Sequence, residues 1–471
     1  MKLFNKNIAI ILTIVSAIMY TSCEKQLEVD QNTIITFDEA ISTPEQLQAF
    51  LVSIYDVAAN INNGTYQLFA DLPSDDLAKP YNDGGTFRTE AYDRSTTIFN
   101  SDLISLYSQL YIISYRVNIL DQAFAQVPNV SAQRKSEIQA EGKFLRAWAH
   151  FKVLQLWAQP AGTSSDNSHL GIVLRKEVST LPVARTSVAD AYTFILSDLD
   201  DAIAGLPATN GIYADVDAAK ALKALVLFQM NDLTSAVTVL NDVINSGRFT
   251  LSDSLDRYYP NNCSPTSKDR EFIFGFSSPG IGDNRGGTFT GAYKVNGTVS
   301  PSLTITQDLY NSITTDTSDD RAKLVKIVNE GKASVFYGAT KFDDLYFGTP
   351  SITLTQLLLT RAEALARSGT NLPQAVEDVN KIIVRAYPRN RNKDLASNSD
   401  AALILSTVLS ERRKELFAEG DRLSSLKRMS AFYNRTATIR NAPWDCNGLV
   451  FQFPSNEKSA VFVFNPSGGC N

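Results

Sequence analysis

The chain of 471 residues is 44% hydrophobic and 20% charged, which excludes a disordered segment and supports a sizeable core. Its formal net charge is −6, and no Lys/Arg cluster stands against it, so nucleic acid is not expected as a partner.

The amino terminus reads as an export signal. Lys2 and Lys6 form a positive flank, and Ile8 to Tyr20 form an apolar run too short for the roughly 20 residues that span a bilayer. Tyr20-Thr21-Ser22-Cys23 follows the pattern of a bacterial lipobox, with Tyr20 where leucine is usual. Residues 1–22 are therefore expected to be removed and Cys23 acylated; the alternative is an ordinary secretory signal with Cys23 in a disulfide. Residues 23–40 read as an acidic tether and 23–471 as one domain. Cys263, Cys446 and Cys470 then remain, with three pairings open. Cys446 with Cys470 is favoured because it would tie down the carboxyl terminus. No CxxC and only two histidines, His150 and His169, argue against a metal site, and no cofactor motif is present.

Helical spacing begins after Ser42-Thr43-Pro44-Glu45, a hydroxyl cap with proline near the first position. Leu47, Leu51 and Ile54 face inward until Asn60 to Gly64 end the helix. From Asp71 to Phe99 the pattern disappears, and a structureless stretch of that length is usually functional. It returns at Leu103, Leu106, Leu110 and Val117, then at Phe144, Trp148, Phe151 and Leu154, a helix apolar over more than half its surface and stopped by Pro160. Ser187-Val188-Ala189-Asp190 approximates a capping box for a further helix to Leu206. Residues 218–229 and 232–246 form a pair of tetratricopeptide proportions, a pair recurs from Ile352 to Ala386, and the last clear helix runs from Leu405 to Arg428. The repeat scaffold thus falls mainly in 41–60, 101–160, 187–247, 352–388 and 403–430. The loop-rich regions are 71–100, 248–350 and 431–471.

Several of these strings resemble one family. Ala140-Glu141 through Trp157 is similar to the A-E-A-x-F-L-R-A-x-x-[YH]-F signature of the SusD/RagB surface lipoproteins, departing at Gly142, Val153 and Ala158. Val243 to Phe249 resembles V-I-x-S-G-x-[YF], Leu359 to Ala364 resembles L-x-R-A-E-A, and Glu411 to Arg422 resembles E-R-x-x-E-L-x-x-E-G-x-R. Cys23 to Glu28 and, loosely, Pro454 to Glu457 resemble the two ends of such chains. The resemblance implies a mostly α fold, with four tetratricopeptide-like helix pairs beside a loop-rich ligand-binding half. It also implies a non-enzymatic lipoprotein on the outer membrane, facing the exterior. Such a protein captures glycans and passes them to a SusC-like TonB-dependent transporter.

The chemistry of the chain agrees in kind. No G-x-S-x-G, P-loop or H-E-x-x-H occurs, and the acidic pairs Asp75/Asp76, Asp319/Asp320 and Asp343/Asp344 read as surface or turn acids rather than glycosidase carboxylates. The charged run from Glu411 reads as scaffold, with pairs worth tenths of a kcal/mol if exposed. Aromatic residues in nonperiodic segments are the better resource, because a ring can stack on a sugar face while polar neighbours bond its rim. Tyr81, Phe87, Arg88, Tyr92, Tyr293, Asn296, Tyr337 and Tyr346 are the candidate ligand contacts. Two other readings stay open: a helical-repeat scaffold for envelope assembly, and an anchored glycosidase.

Overall fold

The structure is a computed structural model and describes residues 41–79, 87–124, 127–252, 255, 271–277, 285–295, 301–343 and 348–470. The lipidation candidate Cys23 and its tether lie outside them. No helix among the described residues is long and apolar enough to cross a membrane.

Helix α1 (Pro44–Asn62) starts at a reciprocal cap: Thr43 Oγ1 accepts from Gln46 N, and Gln46 Oε1 accepts from Thr43 N. A short α2 (Thr65–Asp71) and α3 (Phe87–Tyr92) precede the long α4 (Ser101–Ala123) and α5 (Ala132–Trp157). Then come α6 (Val188–Gly205), α7 (Val216–Gln229) and α8 (Leu233–Ile244). Strand β1 (Phe272–Phe276), α9 (Gly287–Tyr293), α10 (Gln307–Thr314), β2 (Val325–Val328), β3 (Phe336–Ala339) and β4 (Thr349–Thr353) fill the irregular middle. Helices α11 (Leu354–Ser368), α12 (Leu372–Ala386), α13 (Ala401–Glu415) and α14 (Arg422–Phe432) follow, and a small ribbon of β5 (Thr438–Ile439) with β6 (Ala442–Pro443) comes near the end. The protein is mostly helical, and among the described residues the strands form only antiparallel two-stranded ribbons: β1 with β4, β2 with β3, and β5 with β6.

Antiparallel helix pairs stack in chain order. α1 lies on α4, α5 on α6, α7 on α8 and α11 on α12, and each pair touches the next through α4–α5, α6–α7 and α8–α11. Small residues set the closest approaches. A Cβ on Gly205 would sit 2.8 Å from the Ala140 Cβ, and one on Gly142 would meet Val117 Cγ1 at 3.3 Å. That contact accounts for glycine at 142, where the related signature carries alanine.

Buried ion pairs fix the stack where apolar packing alone would slide. Arg146 of α5 forks onto Asp198 of α6 at 2.8 and 2.7 Å, and Arg361 of α11 forks onto Asp378 of α12 at 2.7 Å twice. The charged run of α13 makes ion pairs between elements, in keeping with its reading as scaffold, and Glu411, Arg412 and Glu415 are buried rather than exposed. Arg321, fully enclosed, binds Asp319, Glu411 and Glu415, while Arg385 bridges Glu271 and Glu415. Removing one partner of such a pair leaves an uncompensated buried charge, a far larger effect than an exposed pair would have.

The expected helix from Leu405 to Arg428 is broken. α13 ends at Glu415, Ala418 and Gly420 take left-handed backbone (φ 60° and 82°), and α14 restarts at Arg422. The turn is shaped by close approach, since a Cβ on Gly420 would lie 3.0 Å from Gln67 Cα. Asp71, buried at the end of α2, accepts from Gly420 N and Arg422 N at 2.8 and 3.2 Å. The E-G-x-R string is thus the joint between the helical stack and the loop-rich half. At the carboxyl end, Cys446 and Cys470 form a disulfide with sulfurs 2.13 Å apart and Cα atoms 5.3 Å apart; Cys263 lies outside the described residues.

Candidate functional site

The loop-rich half is organised by residues 302–306. Ala78 N donates to Thr304 O (2.9 Å), Thr306 N to Asp76 O (2.8 Å), Leu303 N to Ala292 O (3.0 Å) and Ile305 N to Tyr337 O (3.0 Å). One extended segment thereby joins residues 76–78, α9 and β3. It forms no regular sheet but satisfies its backbone groups on several sides.

Two of the expected contacts, Arg88 and Tyr337, bond to this segment, and two more, Phe87 and Tyr92, share a helix with Arg88. Phe87, Arg88 and Tyr92 share α3 and are half-buried. Arg88 Nη1 donates to Ser302 Oγ at 2.8 Å, which connects α3 to the segment whose Ile305 holds Tyr337. The half-buried ring of Tyr337 lies 4.8 Å from that of Tyr310, so two phenols stand side by side. Tyr92 carries the guanidinium of Arg440 4.0 Å from its ring centre. These rings combine an apolar body with a hydroxyl, which suits them to a polyhydroxylated ligand with apolar ring faces.

Tyr293 does not join them. It is fully buried, its ring 5.3 Å from that of Phe342, which in turn stacks on Phe289 at 4.5 Å. Phe289 and Tyr293 are four residues apart on α9 and therefore share the face turned to the core. Its role is to support the segment from beneath, so the expectation of ligand contact is corrected. Its hydroxyl has no hydrogen-bond partner among the described residues. Tyr81, Asn296 and Tyr346 lie outside the described residues.

One exposed aromatic that sequence reasoning passed over stands beside α3. Phe99 is 70% exposed, and its neighbour Asn100 donates to Phe87 O at 3.0 Å and Glu90 Oε2 at 2.9 Å, fixing this turn against α3. The signal was available, since Phe99 sits immediately before an Asn-capped helix, a place with no core face to fill.

Both histidines and four of the acids paired in the sequence are engaged by neighbouring groups. Asp75 binds Arg422, whose guanidinium holds its carboxyl below the usual range, and Asp76 binds Arg413 at 2.7 Å. Asp319 is paired with Arg321, and Asp343 accepts from Val295 N at 2.7 Å. His150 is buried and donates through Nδ1 to Arg146 O at 3.0 Å, and burial pushes its pKa down to about 3. His169 is bonded to Ser164 and Gln159. No group of three metal-ligating side chains occurs among the described residues. What the arrangement offers a ligand is rings, hydroxyls and a guanidinium.

Comparison with known proteins agrees with this geometry. A family described as "Starch-binding associating with outer membrane" matches residues 25–225, and the SusD family matches residues 347–448. The chain is 24% identical to SusD-like protein P38 of Formosa agariphila, over 90% of this chain and 91% of that one. Among solved structures, a SusD superfamily protein of Bacteroides thetaiotaomicron superposes with a TM-score of 0.76 at 22% identity, over 90% of this chain and all of that one. Surface glycan-binding protein A of Bacteroides fluxus superposes with a TM-score of 0.72 at 20% identity, over 90% of this chain and 99% of that one. The two family matches, together with a repeat stack that has the fold of SusD superfamily structures, accordingly place the chain in the SusD/RagB family.

Proposed function

We propose that this protein is a surface lipoprotein that captures an oligo- or polysaccharide and delivers it to a SusC-like TonB-dependent transporter of the outer membrane, without transforming it. The observation that carries the reading is the link from Arg88 of α3 to Ser302, on the segment that also bonds Tyr337, with Phe87 and Tyr92 on α3 and the exposed Phe99 fixed beside it. Exposed or half-exposed rings held on a rigid support lose little freedom when a sugar stacks on them. The amino-terminal sequence supports anchoring through lipid on Cys23, and binding at a relative such as the Bacteroides fluxus surface glycan-binding protein supports the ligand class. The repeat helices offer the transporter its docking surface in this reading. The acids best placed to act as glycosidase groups are held by arginines, which favours binding over cleavage.

Affinity electrophoresis of the mature chain through gels containing a panel of polysaccharides tests the proposal. Retardation by at least one glycan, lost in a Tyr92→Ala/Phe99→Ala/Tyr337→Ala variant of unchanged melting temperature, is the expected result. Absence of retardation throughout, together with no barrel partner on co-purification from membranes, would remove it.

A further inference from the structure

A second site lies away from these loops, at the seam between the helical stack and the turn before α14. A cleft of about 90 Å³ there is lined by Tyr66, Trp148, Lys152, Gln155, Ser351 and Gln356, among others. At roughly 15 Å³ of such space per water, it holds about six waters or one small organic group. Lys152 is 9% exposed, and its ammonium sits 3.6 Å from the Tyr66 ring centre and 4.6 Å from that of Trp148. No carboxylate pairs with it among the described residues, whereas the other charges of the wall are matched: Glu419 to Lys341 at 2.7 Å, Asp421 to Arg412 at 2.8 Å and Arg428 to Glu363 at 2.9 Å. Burial alone pushes Lys152 down to about 7.

Three uncharged side chains in the cleft can donate. Gln155 Oε1 is taken by the Tyr66 hydroxyl at 2.8 Å, which turns the amide nitrogen away from that bond, and Ser351 Oγ already accepts from Trp148 Nε1 at 2.9 Å, leaving its own proton to give. The Gln356 amide makes no side-chain hydrogen bond among the described residues. A buried cation that lacks a counter-charge, with spare donors and aromatic walls around it, is complementary to an oxyanion with a small apolar body. The geometry points to a carboxylate-binding site at Lys152, taking either a free organic acid or the uronate of an acidic glycan. This site does not rest on the loop cluster proposed above.

Trp148 reports directly on the cleft. Its fluorescence in the full mature chain would be followed against sodium acetate, sodium glucuronate and glucose, with ionic strength held constant by sodium chloride. The expected result is a saturable change with a carboxylate and none with glucose, weakened at least tenfold in Lys152→Met. Stronger binding of acetate assigns the site to free acids, and stronger binding of glucuronate assigns it to acidic glycans. Should Lys152→Met fail to fold, Gln356→Leu is expected to weaken carboxylate binding severalfold. No saturable response to either carboxylate, an equal response to glucose, or unchanged affinity in both variants would overturn the assignment. Retardation by a neutral glycan is expected to survive Lys152→Met, so failure here is distinguishable from failure of the proposed function.

Discussion

The pair Arg361–Asp378 offers the sharpest test of how the helical stack is held. Arg361 is 1% exposed and Asp378 is fully buried; two bonds of 2.7 Å join them, and Arg361 Nη1 also donates to Asn241 and Asn245 of α8 at 2.9 and 3.0 Å. One guanidinium therefore ties three helices together. Arg361→Met would leave the Asp378 carboxylate buried with only the Gln374 amide at 3.2 Å, a destabilisation of about 3–5 kcal/mol. Asp378→Leu would strand the guanidinium at a similar penalty. The double variant replaces both charges with apolar groups. Because Asn241 and Asn245 are partly or fully exposed and can turn to water, it should return to within about 1 kcal/mol of the parent. For a chain of this size, about 1 kcal/mol shifts the melting temperature by only ~1 °C, so urea midpoints read alongside circular-dichroism melts are the appropriate assay. Single variants within about 1 kcal/mol of the parent, or a double variant as unstable as the sum of the singles, would refute the claim that this buried pair holds the stack.

Three further outcomes follow from individual groups. Tyr293→Phe removes a buried hydroxyl that has no partner among the described residues, so the urea midpoint should rise by an amount equivalent to about 1 kcal/mol. The Cys446–Cys470 bridge closes a separation of 24 residues, and Cys470→Ser should lower stability by about 3 kcal/mol and open the terminal segment to protease. Lys152 has a folded pKa of about 7 against the usual 10.5, so at intermediate pH the unfolded chain holds a proton that the folded chain does not. Stability therefore rises as pH increases through that window. Between pH 7 and 9 the parent should gain about 2 kcal/mol more than Lys152→Met, as measured by urea unfolding at each pH.

Much of the helical stack was legible because its signals are periodic and local. The cap at Thr43, the apolar stripe around Trp148 and the paired helices at 218–246 each follow from spacing of a few residues, and the motif strings added the family. Long-range geometry was not legible. Nothing near Glu411 in the chain announces that it meets Arg321, and the backbone reversal at Gly420 depends on Asp71, far away in sequence. The candidate site shows the same division. Arg88 and Tyr92 stand out because they sit in aperiodic chain and are half-buried, yet Tyr293 looks equivalent in sequence, and only its i, i+4 relation to Phe289 within a short helix marks it as core. Phe99 was missed because a single exposed ring has no period. Lys152 was hidden in plain sight on the buried second half of α5, where a lysine reads as a solvated edge until the two rings that enclose it are seen.

The most direct measurement of the central claim is a hydrogen-exchange footprint of the glycan that the protein retains. Capture by the loop-rich half predicts slowed exchange over residues 87–99, 302–310 and 336–339, with the helices of the stack unchanged. Protection confined to the helix pairs, or no protection at a saturating glycan concentration, would contradict it.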